Sequence, residues 1–266
     1  MERVKGTERL LEIVEHLGRA DAPVSRNALA VAMGAPRSTV YALVEQLLAR
    51  GWLSQSANGE IALGQKIGLL GLAYSRQASF EHLAAEELRA LADETGQSME
   101  LNIVDNWEQL VVVAAQGFEH TYLNPAAGLR VPLPATVSSR VLLEGVSPAR
   151  IAAFIPPAHF RLAGGRQLSL ETFCAQIAEA GRTGHAAGNG LLESHVGVVA
   201  VPVRNAFGHC IAAISMIMLA QSMQARLPEM LPLLRRTAAR LEDALTLGTW
   251  PLGERCWQAL HDHPPI

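Results

Sequence analysis

Cysteine is scarce in this chain of 266 residues: Cys174, Cys210 and Cys256 are odd in number and widely spaced, which builds neither a disulfide framework nor a paired-cysteine metal site. An excess of charge of one sign is missing too, since 22 Lys and Arg stand against 25 Asp and Glu for a net charge of −3. That excludes a broadly basic, non-specific nucleic-acid coat and leaves room for a small, locally basic reading head. Nor is there a long apolar run. Cys210 to Leu219 has only the length of a strand, against the ~20 uncharged apolar residues of a membrane span. The opening MERVKGTERLLEIVEHL carries charges where a signal peptide would be apolar, and internal repeats and low-complexity tracts are absent. Together these absences predict a soluble protein of the reducing cytoplasm, with no metal, no cofactor and no membrane partner.

What is present is core material. With 49% hydrophobic and 18% charged residues the chain is globular in composition, and its length exceeds the ~100–200 residues of one domain, so two domains are expected. Leu10, Leu11, Val14 and Leu17 recur at helical spacing from Thr7 until Gly18 stops the pattern. Ser25 is placed as the N-cap of a short helix closed by Gly34. Pro36 is suited to the first position of the next helix, whose inward face is Val40, Leu43, Val44 and Leu47. Trp52-Leu53, Asn58-Gly59 and Ile61 to Leu63 read as a hairpin with an Asn-Gly turn, a wing. A helix from about Gln65 to Phe80, with Ile67, Leu70 and Tyr74 inward, links to another from Glu81 to Thr95.

Beyond Gly96 strands are expected at Ser98 to Val104 and Gln109 to Ala115, then at Gly197 to Arg204 and Cys210 to Met218, the latter two joined by a turn at Asn205 to Gly208. Helices are expected at Val137 to Leu143, Ser147 to Phe154 and Ser169 to Ala180, and a long one runs from Met223 to Leu245. Residues from His261 to Ile266 read as a loose tail.

The span from Ser25 to Tyr41 has what two helices crossing at a tight turn require: Ala30 for close approach, Gly34 for the turn, and Leu29, Val40 and Leu43 at the corner. Arg37, Ser38 and Tyr41 project from the start of the second helix, where a recognition helix meets base edges. Arginine can pair bidentately with guanine, and serine can donate to bases or phosphates. Ser25 and Arg26 are cast as phosphate contacts, which fix register. One recognition helix reads too few base pairs, so a dimer on half-sites about one turn, ~10 base pairs, or a multiple of that apart is expected.

The segments GTERLLEIVEHL, APRSTVYALVEQLLARGWL, NGEIALGQKIGLLG, LRALADETGQSMELNIV, RVPLPATVSSRVLL and GVVAVPVRNAFGHCIAAISM occur in an order and at separations that resemble the IclR-type transcription regulators, over roughly Lys5 to Leu245. In that family a proline, a basic residue and Ser-Thr open the recognition helix, here Pro36, Arg37, Ser38 and Thr39. The resemblance implies an α+β chain: a winged helix-turn-helix over 1–64, a linker helix over 65–80, a GAF-like effector-binding domain over 81–247, and an extension over 248–266. It also implies operator DNA and a small organic effector as partners, dimers or tetramers, and control of genes for using carbon compounds. Effector contacts carried over by position are Val137, Ser138 and Ser139, then Gly188 or Asn189, then Val198 and Ser215. Where many members have an acidic residue and a cysteine, this chain has Gly188-Asn189 and Val198, and the usual glycine of the helix start is Ser139, followed by Arg140.

With Val137 and Val198 in such a pocket, and Ser138, Ser139, Asn189 and Ser215 as its hydrogen-bonding groups, the effector expected is aromatic or largely apolar with one or two polar groups. Arg140 would meet a carboxylate if its side chain turned inward. Two other classes remain open. An enzyme would need a convergent nucleophile, base and orienter, and no spacing links His185, His195, Cys174 and Cys210 in that way. A pure protein-docking module would lack the steep salt dependence of phosphate binding. Cys210 reads as a small buried hydrophobe, and the extension with Trp250, Cys256 and Trp257, which has no counterpart in the family, as an ordinary packed tail.

Overall fold

The computed structural model describes residues 2–20, 22–77, 79–119, 125–189, 195–247 and 250–262. The chain divides into two compact units, Met1–Ala78 and Ser79–Ile266. In the first, helices α1 (Glu2–Arg19), α2 (Arg26–Ala32) and α3 (Arg37–Ala49) precede a hairpin of β1 (Leu53–Gln55) and β2 (Ile61–Leu63), and α4 (Gln65–Gln77) follows. The Ser25 hydroxyl accepts from the Ala28 amide at 3.1 Å, satisfying one of the orphan donors at the start of α2. Pro36 is the N-cap of α3 rather than its first residue, because its ψ of 134° is extended. The missing proline N–H is equally harmless there.

Ile13, Leu17, Leu29, Val40, Val44 and Ile61 make the centre of this unit's core. Leu11, counted in the apolar stripe of α1, is instead 59% exposed. At 3.6 residues per turn it stands roughly 160° around the helix from the fully buried Ile13. The wing also differs from the expected two-residue turn. The Ser56 amide donates to the Glu60 carbonyl and the Gly59 amide to the Ser56 carbonyl, both at 2.9 Å, so Ala57, Asn58 and Gly59 form a three-residue loop. Only Gly59 takes the left-handed conformation, at φ 82°. On the other side of β2, Val24 and Ile61 exchange backbone hydrogen bonds at 2.9 and 2.8 Å. Leu70, expected to face inward, is 48% exposed, and Leu69 and Leu72 beside it are more so. The side chain of Tyr74 lies outside the described residues.

The second unit opens with α5 (Ser79–Thr95), β3 (Ser98–Asp105), β4 (Glu108–Ala115) and β5 (Arg130–Pro132). It continues with the short α6 (Ser139–Leu142), then α7 (Pro148–Phe154), α8 (Leu170–Thr183) and β6 (Ala186–Asn189). It ends with β7 (Val196–Arg204), β8 (Cys210–Leu219), α9 (Ala220–Leu247) and α10 (Pro251–Asp262). Among the described residues six strands form one antiparallel sheet in the order β5-β4-β3-β8-β7-β6. Helices α5 and α9 pack on one face, and α6, backed by α8, on the other. The strand period divides β3 between them: Met99, Leu101 and Ile103 enter the core under α5 and α9, while Glu100 and Asn102 turn to the opposite face. The helix expected over Val137 to Leu143 is shorter than its pattern. Pro132 and Pro134 impose a 3-10 turn at Leu133–Ala135, and α6 begins only at Ser139.

The extension is ordered further than the sequence suggested. Helix α10 carries His261 and ends at Asp262, while residues 263–266 lie outside the described set. Trp250 is 1% exposed, its ring 4.6 Å from that of Phe80, and Trp257 is sandwiched between His209 at 3.7 Å and His261 at 4.1 Å. Arg150 donates to the carbonyls of Ala259 and Leu260, which the helix end leaves unpaired.

Candidate DNA-reading helix and effector pocket

Helix α3 presents Pro36, Arg37 and Ser38 to solvent at its N-terminal end, with Thr39 and Tyr41 half-buried behind them and Val40 and Val44 in the core. No ion pair or side-chain hydrogen bond engages Arg37 among the described residues, so its guanidinium is uncommitted beside the positive end of the helix dipole. Arg26 is placed otherwise. Its guanidinium pairs with Glu45 of α3 and donates to the Gln55 side chain of β1 at 3.1 Å, and Gln55 donates in turn to the Gly59 carbonyl at 3.1 Å. Arg26 therefore ties α2, α3 and the wing together and has few donors left for phosphate. Ser25 is exposed, and its oxygen is occupied as the cap of α2.

In the second unit a cavity of about 100 Å³ lies between the sheet and the segment that leads into α6. It brings together five of the positions expected to touch an effector: Val137, Ser138, Gly188, Val198 and Ser215. Gly188 sits opposite Val198 in the β6–β7 pairing, and a Cβ on it would lie 3.2 Å from Val137, so the absent side chain keeps this wall open. Ser139 does not reach the cavity. It is fully buried, and its hydroxyl donates to the Thr136 carbonyl at 2.8 Å. Asn189 opens instead onto a neighbouring cleft between α8 and β6.

Arg140 has turned inward, but into that neighbouring cleft and not into the cavity. Its guanidinium donates to the carbonyls of Pro134 and Thr136 and to Gln176 at 2.8 and 3.1 Å, and it lies 4.7 Å above the Phe173 ring. Burial without a carboxylate lowers its pKa to about 10, so it stays charged and acts as a strut of the α6–α8 contact.

Sequence reasoning missed the polar floor. Ser138 donates to Gln109, Gln109 to Asn102 at 3.0 Å, and Asn102 to Ser215 at 3.0 Å, a chain of buried side chains from three strands and the α6 segment. Beside it Glu100, 8% exposed, also lines the cavity; burial raises its pKa to about 7 against a hydrogen bond from Asn102 that lowers it. The signal was available in SMELNIVD, where Glu and Asn alternate with apolar residues and so share one face of a strand, a face buried only once helices cover it. Elsewhere, burial pushes the thiols of Cys174, Cys210 and Cys256 above their ordinary value, and Cys210 donates to the Ala212 carbonyl at 3.2 Å.

The model of the IclR helix-turn-helix domain matches residues 6–57, and that of the bacterial transcriptional regulator IclR C-terminal region matches residues 73–243. The HTH-type transcriptional regulator XynR of Escherichia coli is 26% identical over 215 residues, covering 80% of this chain and 85% of its own. The HTH-type transcriptional regulator KipR of Bacillus subtilis is 24% identical over 173 residues, 65% and 69% of the two chains. Among solved structures, an IclR homologue from Microbacterium hydrocarbonoxydans complexed with 4-hydroxybenzoate superposes with a TM-score of 0.74 at 20% identity, covering 91% of this chain and all of its own. That likeness is one of fold. No helix among the described residues is long and apolar enough to cross a membrane. The matched families and relatives are transcriptional regulators rather than enzymes, and the chain belongs to the IclR family of bacterial transcriptional regulators.

Proposed function

We propose that this regulator acts in the cytoplasm as a dimer or tetramer that reads an operator through α3, and that an aromatic or largely apolar metabolite entering the Glu100–Ser215 cavity alters its operator affinity. The observation that carries the DNA-reading part is the exposed, uncommitted Arg37 at the start of a helix whose opposite face is fixed in the core. Pro36, Ser38, Thr39 and Tyr41 complete that end of the helix, and Ser25 stands at the start of α2 as a phosphate contact. Arg26 serves by holding the wing against α3. In the second unit, walls of Val111, Val131, Val137, Val198 and Ile217 favour an apolar body, and the polar floor favours one or two hydrogen-bonding groups.

The test is to select fragments from genomic DNA on the full-length protein and to measure fluorescence anisotropy on the selected site, on a scrambled site, and with candidate metabolites added. The proposal requires preference for the selected site, a fall of about one logarithmic unit in affinity per contacted phosphate per tenfold rise in salt, and a shift on adding a ligand. Equal affinity for scrambled DNA would refute it.

A further inference from the structure

Glu100 is the one ionisable side chain among the residues that line the cavity, and no ion pair engages it among the described residues. Its partner there is the side chain of Asn102, which is committed at both ends: its oxygen accepts from Gln109 and its nitrogen donates to Ser215. The other polar groups facing the space, Gln109, Thr136, Ser138 and Ser215, are neutral. The buried cation Arg140 faces the neighbouring cleft and is held by carbonyls and by Gln176. A carboxylate entering the cavity would therefore meet a carboxyl group and no compensating cation.

Resting on the reading of this cavity as the effector site, we propose that Glu100 selects effectors carrying a protonated amine, the ammonium group seated on the Glu100 carboxylate and the apolar body against Val137 and Val198. In the free cavity burial raises the Glu100 pKa to about 7, so the carboxyl group can hold its own proton there. An ammonium ligand pairs with the carboxylate form, and the displaced proton leaves to the buffer. Such a pair combines charge with a hydrogen bond at a carboxyl group that is itself 8% exposed, where each counts for more than on the surface. Ser215 accepts from Asn102, so its own hydroxyl proton remains to meet a lone pair on the ligand.

The test is calorimetry on the full-length protein with two matched pairs of probes, benzylamine against benzoate and butylamine against butyrate, in buffers of different ionisation enthalpy near pH 7. The wild type should bind an amine more tightly than its matched acid by roughly 10- to 100-fold, with release of protons. Glu100→Gln should cut the amine affinity by a similar factor and leave the acids within about threefold, and its unchanged circular dichroism would show that the fold survives. Val198→Trp, which fills the cavity, should abolish amine binding. If an acid binds more tightly than its amine and Val198→Trp abolishes that binding, the cavity is the effector site and the amine claim is wrong. Binding that survives Val198→Trp, or no binding by any probe, overturns both.

Discussion

Two arginines eleven positions apart show why residue type alone did not fix residue role. Arg26 and Arg37 both stand at helix starts, but Glu45 and Gln55 converge on Arg26 from elements distant in sequence, and nothing among the described residues converges on Arg37. Arg26→Ala should therefore loosen the wing. We expect a loss of roughly 1 kcal/mol in the stability of the first unit, because the pair is only partly buried, and a uniform drop in DNA affinity without the change of one unit in salt slope that loss of a phosphate contact gives. Urea denaturation and salt titrations of the variant check both. Glu100 carries a pH dependence with a definite sign. Its folded pKa of about 7 exceeds the ordinary value of 4.5, so the folded state holds more protons in that window and stability falls as pH rises through it. Glu100→Gln should match the wild type near pH 4 and exceed it by up to about 3 kcal/mol above pH 7, read from denaturant midpoints across pH.

At the scale of elements, several helices were legible: α2 by its Ser25 cap and glycine stop, α8 as an expected helix from Ser169, α9 by its length. The strands β3, β4, β7 and β8 were legible too, being long and apolar. The short β5 and β6 were not. Three and four residues carry too little periodicity, and both strands exist because a long neighbour offers them an edge. Five of the positions carried over by resemblance line the cavity, whereas the part played there by Gln109, Asn102 and Glu100 depends on which strand face α6 covers, a fact of tertiary packing. Helix α10 was underestimated because its anchor is non-local: Trp250 packs on Phe80, some 170 residues earlier in the chain. Trp250→Ala should cost about 3–5 kcal/mol and lower the unfolding temperature of the second unit, checked by calorimetric scans. Unfolding of the first unit at the wild-type temperature in the same scans would show that the damage is local.

At the scale of the molecule, the exposed Leu69, Leu70 and Leu72 on α4 form an apolar surface that a second copy could cover, in keeping with a dimer reading two half-sites. Leu69→Gln together with Leu72→Gln should shift sedimentation toward the monomer at micromolar concentration and weaken operator binding more than binding to single half-sites. An effector that lowers operator affinity must itself bind more weakly to the DNA complex by the same factor, which gives an independent check of coupling. The central claim, that this regulator reads DNA through the start of α3, is tested most directly by isotherms of the wild type and Arg37→Ala on operator and scrambled DNA at several salt concentrations. The account predicts a loss of ~1–3 kcal/mol per half-site on the operator, flattened preference at one base position, and a much smaller change on scrambled DNA. Full operator preference in Arg37→Ala would contradict it.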